Sequence, residues 1–134
     1  KFYVNWHSVA VDAGFIYVDR KNFSRIIEKL TESEIDQVLD DYFEKEFAGR
    51  VTMIAGGTEL EQFLRAMEGW LLGSGFHYRH ITNNEVETYV IQHNMGNKSG
   101  YYLKSYLKRA LEFVKAKHVE AKSTPDTVWL VFAP

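Results

Sequence analysis

Between Gly73 and Phe76 the spacing of apolar residues changes from a period of about 3.6 to a period of 2. That change confines the chain to folds in which helices cover one side of a sheet. Before it, Leu60, Phe63, Leu64, Met67, Trp70 and Leu71 fall on one helical stripe, which ends at Gly73-Ser74-Gly75. After it, Phe76 to Thr82 and Glu85 to His93 alternate around Asn83-Asn84, and Asn tolerates the positive φ of a tight hairpin turn. A loop of those two residues pairs Tyr78 with Tyr89 and Phe76 with Ile91, and sets His80 opposite Glu87. The helical period returns in Leu103, Tyr106, Leu107, Ala110, Leu111 and Val114. A second hairpin then runs from Val119 to Lys122 and from Thr127 to Phe132, turning at Thr124-Pro125-Asp126, where Pro presets φ. An α-ββ-α-ββ run of this kind closes as a four-stranded antiparallel sheet with helices on one face, so the predicted class is α+β.

The part before Thr58 reads as helical. Phe2, Trp6, Val9, Ala10 and Ala13 share one face, and Gly14 stands where a helix C-cap is expected. Phe15 to Val18 is extended, and Asp19 then N-caps a second helix with Phe23, Ile26, Ile27 and Leu30 inward. Thr31-Glu32-Ser33-Glu34 has the form of a capping box and opens a third helix, with Ile35, Val38, Leu39, Tyr42, Phe43 and Phe47 on its stripe. Val51 to Ala55, between Gly49 and Gly56-Gly57, fits either a strand or a helical extension. Thr58-Glu59-Leu60-Glu61 repeats the capping box. The expectation is one domain over residues 1–134, with a helical part over 1–57 and the α-ββ-α-ββ part over 58–134. Because it opens on the aromatic run Lys1-Phe2-Tyr3-Val4-Asn5-Trp6 without Met, it is read as a fragment of a longer chain.

Composition removes several function classes. Lys and Arg total 16 against 18 Asp and Glu, a formal charge of -2, so this fragment has no basic footprint for direct nucleic-acid contact. There is no Cys, which rules out disulfides, thiol catalysis and Cys-based zinc sites. With no need of disulfides, the expected location is cytoplasmic. No apolar run approaches the roughly 18–20 residues of a membrane span, so no membrane partner is expected. His7, His77, His80, His93 and His118 form no HExxH, and His77 and His80 point to opposite strand faces, so no metal site is expected. No cofactor motif is present either.

Gly96-Asn97-Lys98-Ser99 departs from a phosphate-binding loop, because Asn97 stands where that loop needs its second Gly. Ser74 lies between two glycines after a helix, unlike the nucleophile elbow that follows a strand. The candidate ligand site is therefore the strand-to-helix passage: His93, Gly96, Asn97, Lys98 and Ser99, with Tyr89 on the same sheet face as His93. Free N–H groups at a helix start favour an anion or carboxylate. The same residues also read as a turn and helix cap, with His93 serving its neighbours. The abundant aromatics, 3 Trp, 8 Tyr and 9 Phe, suit core packing, a dimer interface or an apolar ligand pocket.

Three stretches carry a resemblance. Phe2-Tyr3-Val4-Asn5-Trp6, followed by Ala13-Gly14-Phe15-Ile16-Tyr17-Val18, resembles the junction after the DNA-binding segment in uncharacterised archaeal proteins of ribbon-helix-helix regulator type. Gly69-Trp70-Leu71-Leu72-Gly73-Ser74-Gly75-Phe76 is similar to the helix-to-strand turn of their C-terminal accessory domain. His93-Asn94-Met95-Gly96, with Tyr101, Tyr102 and Tyr106-Leu107 beyond, is similar to its lead-in to the last long helix. The resemblance implies a domain of an archaeal transcription regulator whose DNA-binding segment lies upstream, and it carries no activity onto particular residues. The leading expectation is a non-enzymatic dimerisation or effector-sensing domain, acting as a homodimer. The alternative is a small-molecule-binding enzyme domain with a pocket near His93 and Lys98.

Overall fold

The computed structural model describes residues 2–134, with side chains from Trp6 onward. Helices α1 (Phe2–Asp12), α2 (Arg20–Glu28), α3 (Glu32–Lys45) and α4 (Phe47–Ala55) come first. Then follow α5 (Leu60–Gly73), β1 (His77–Asn83), β2 (Val86–Gln92), α6 (Asn97–Phe113), β3 (Lys117–Ser123) and β4 (Thr127–Ala133). The fold is α+β, as the change of period requires.

Local chemistry sets most boundaries. Asp19 accepts the Asn22 N–H at 2.9 Å. Thr31 and Glu34 form the full capping box, at 3.0 and 2.8 Å. At α5 the cap lies one residue later than expected: Gln62 reaches back to the Glu59 N–H, and Thr58 stays outside the helix. Val51 to Ala55 is helical. Phe47 and Val51 are both buried, a four-residue spacing that only a helix brings to one face. Phe47 itself begins α4 instead of ending the third helix. The chain breaks at Glu46, and the new direction keeps Phe47 stacked on Phe43 at 4.3 Å while Val51 also enters the core. Gly56, at φ +82, ends α4 in the left-handed conformation.

The sheet order is β1-β2-β4-β3, with every neighbour antiparallel. Tyr89 and Ile91 of β2 and Val128, Leu130 and Phe132 of β4 face the helices and are buried. Helix α6 packs on β3 and β4, α2 and α3 pack on α6, and α1 and α4 pack on α5. A smaller cluster of Ile27, Ile35 and Leu39 lies beneath Phe23, Tyr101, Tyr102 and Tyr106. Two expected core positions are exposed: Ile26 at 56% and Val38 at 57%. Val38 lines a cavity rather than filling it. Phe2, assigned above to the buried face of the first helix, lies outside the residues whose side chains are described.

The first hairpin turns one residue later than its Asn pair suggests. Asn84 and Glu85 form the loop, at φ +52 and +64, and Asn83 pairs with Val86. Tyr78 therefore faces Ile91, and His80 faces Tyr89, instead of the pairs expected above. Phe76 leaves the ladder and packs beneath the Trp70 ring, 5.5 Å away. The turn draws Asn83 into the ladder and places Glu85 in a conformation that L residues resist.

Glu85→Gly should relieve that strain and give an Asn-Gly turn. Urea unfolding should show a gain of about 0.5–1 kcal/mol with an unchanged denaturant slope. A loss of stability would mean that Glu85 contributes more than its backbone conformation costs.

Candidate functional site

The passage from β2 to α6 is built around His93, which is almost fully buried. Its Nε2–H donates to the Thr124 carbonyl at 3.2 Å, and its Nδ1 accepts the Met95 N–H at 3.0 Å. These partners define one neutral tautomer. Burial pushes its pKa below the ordinary 6.5, against smaller opposing effects of the Thr124 carbonyl and Asp126. The His93 and Asn94 N–H groups donate to the Asp126 carbonyl, and that of Gly96 to the Pro125 carbonyl. A Cβ at Gly100 would stand 2.6 Å from the Thr124 carbonyl oxygen and 3.0 Å from His93 Nε2. His93 thus joins the end of β2, the β3–β4 turn and the first turn of α6.

The start of α6 already holds a carboxylate of the chain. Glu28, the last residue of α2, accepts the Lys98 N–H at 2.8 Å, where the helix dipole favours negative charge. The Lys98 ammonium donates to the Leu30 carbonyl at 2.5 Å. Gly96 lies beside the same carboxylate, and a Cβ there would come within 3.1 Å of it. Asn97 is exposed, and Ser99 is buried with its hydroxyl unpaired among the described residues. His93, Gly96, Lys98 and Ser99 are thus gathered at one corner of the fold, with their polar groups largely engaged.

Tyr89 belongs to a different cluster. Its hydroxyl donates to Glu68 Oε2 at 2.5 Å, and burial together with that bond pushes its pKa upward. Its ring stacks on His80, with centroids 4.2 Å apart. His80 Nε2 lies 2.5 Å from Glu87 Oε1 and its Nδ1 lies 3.6 Å from Glu68 Oε2. Each ring nitrogen thus faces a carboxylate. Among the described residues no group of three or more His, Asp or Glu side chains is arranged to hold a metal, and no helix is long and apolar enough to cross a membrane.

Two openings lie among the helices. A partly open cavity of about 370 Å³ is lined by residues of α1, α3, α4, α5 and α6, including Trp6, Phe63, Met67, Trp70, Tyr102 and Tyr106. A second, of about 480 Å³, lies between α1, the 13–18 segment and the end of α5. Trp6, Phe15, Trp70, Tyr102 and Leu103 line both. Trp6 and Phe15 meet edge to face there, at 89° with ring centroids 5.9 Å apart. Helix α1 is seated over the cavities by two contacts. A Cβ at Gly73 would stand 2.5 Å from Trp6 Cδ1, so the indole approaches α5 this closely because that side chain is missing. The Arg50 guanidinium donates to the Ala13 carbonyl at the end of α1.

Burial raises the pKa of Tyr102 and of Tyr106, and Tyr106 gains further from its contact with Tyr42. Their hydroxyls stay protonated. Sequence reasoning raised an apolar pocket among the uses of the aromatics but passed over Arg50. The available signal was its isolation, since Arg50 is the one charge in the apolar stretch Phe47–Ala55. No protein-family model matches the sequence, and no curated protein matches it.

The His93 geometry fixes the sign of a pH effect. Its pKa is lower in the folded chain than in the unfolded one, so unfolded chains take the proton more readily. Its contribution is fully present above the ordinary value of 6.5 and is lost as pH falls through the folded value. Unfolding free energies measured from about pH 8 down to about pH 5 should drop below pH 6.5, and His93→Gln should show a smaller drop over that range. Equal slopes in the two proteins would place the pH dependence elsewhere.

Proposed function

We propose that the chain is a non-enzymatic effector-sensing domain of a transcription regulator, and that its effector is an apolar small molecule held in the helical cavity. The observation that carries the reading is the 370 Å³ cavity lined by Trp, Phe, Tyr and aliphatic side chains. Its size lies within the range of small-molecule sites, roughly 300–1,000 Å³. The regulator context comes from the three stretches similar to archaeal ribbon-helix-helix proteins. The competing reading, an enzyme pocket at His93 and Lys98, draws less support, because His93 is bonded through both ring nitrogens and Lys98 is held by Leu30.

Trp6 and Trp70 line the cavity, so an apolar ligand such as decanol should change the intrinsic fluorescence saturably. Ala66→Phe, which places a ring in the cavity, should weaken binding at least about tenfold while circular dichroism stays that of the wild type. No saturable change up to the solubility limit of the ligand would sink the reading.

A second reading, homodimerisation, has its own observation. On the sheet face away from the helices, Ile81 is 45% and Val86 41% exposed, beside half-buried Val90, Trp129 and Val131. Such a face suits two-fold, sheet-on-sheet association with a second copy. Sedimentation at micromolar concentration should show a dimer that the pair Ile81→Lys and Val86→Lys dissociates. A monomer in both proteins would end this reading.

A further inference from the structure

We infer that the effector is an anion, a carboxylate on an apolar body, and that Arg50 binds its head group. The inference rests on the cavity reading above and names the chemistry that the cavity selects. The chain as a whole carries more acid than base, 18 against 16. The cavity linings reverse that balance. Among the described residues, Arg50 is the charged side chain lining the first cavity and Arg20 that lining the second, and no Asp or Glu lines either. An anion entering either space would therefore meet no like charge among the described residues that line it.

Arg50 has donors to offer. A guanidinium carries five N–H groups, and the Ala13 carbonyl accepts from Nη1 alone among the hydrogen bonds of the described residues. The same fork can grip both oxygens of a carboxylate, an arrangement a single ammonium cannot reproduce. Tyr102 lines both cavities with its hydroxyl held protonated by burial, so it adds a donor rather than a second negative charge. A cationic ligand would meet Arg50 as a like charge. A neutral ligand would cover the guanidinium with hydrocarbon and leave its charge without a partner.

The test compares decanoate, decanol and decylammonium by isothermal titration against the wild type, Arg50→Met and Arg50→Gln. Arg50→Gln retains an N–H donor for the Ala13 carbonyl without the charge, so it reports on binding if Arg50→Met does not fold. The wild type should bind decanoate about 10–100-fold more tightly than decanol, as expected for a hydrogen-bonded charge, with decylammonium weakest. Either variant should lose that preference and bind decanoate no better than decanol. Equal affinity for decanoate and decanol in the wild type, or a decanoate preference that survives both substitutions, would overturn the inference and leave the cavity reading standing. Binding of none of the three would remove the cavity reading itself.

Discussion

The first turn of α6 lies so close to the β3–β4 turn that only a residue without a side chain fits at position 100. That approach lets the neutral His93 ring bridge β2 and the turn, and it sets α6 at its distance from the sheet. Two other helices inherit the placement. Helices α2 and α3 rest on α6, and the Glu28 carboxylate at the end of α2 satisfies the amide at its start. One close backbone contact therefore places α6 and, through it, the two helices that rest on it. Its chemistry is neutral, since a charged imidazole would lose its acceptor nitrogen and leave the Met95 N–H unpaired.

Features governed by neighbours in the chain were legible in the sequence. The capping box at Thr31, the N-cap at Asp19 and the periods of α5, α6 and the strands all involve residues within a few positions of one another. What could not be read depends on distant partners. Nothing near Glu46 marks a helix break; the break follows from where Phe47 and Val51 find the core. Asn83-Asn84 offered two adjacent residues suited to positive φ, and ladder pairing across the sheet used the second.

The candidate site divides in the same way. His93, Gly96 and Lys98 were visible as residues with anion-binding chemistry, but their partners come from residues 28, 30 and 124. The polar groups that looked available are consumed in joining elements. The cavity had the opposite character. Its lining is scattered from Trp6 to Leu107, with no motif, and is brought together only by the packing of five helices and the 13–18 segment. Arg50 acquires meaning only inside that lining.

The displaced hairpin bears on how this chain can change. Turning one residue later altered every cross-strand partner of β1, yet Tyr78, His80 and Thr82 remain on the helix side. Moving the turn by one position changes the pairing by two, and the side-chain period of a strand is also two. Lengths at this turn are thus constrained by parity. A pair of residues gained or lost within β1 keeps each side chain on its face, whereas a single one, without a bulge to absorb it, carries Tyr78 and His80 to the face away from the helices and turns Arg79 and Ile81 toward them.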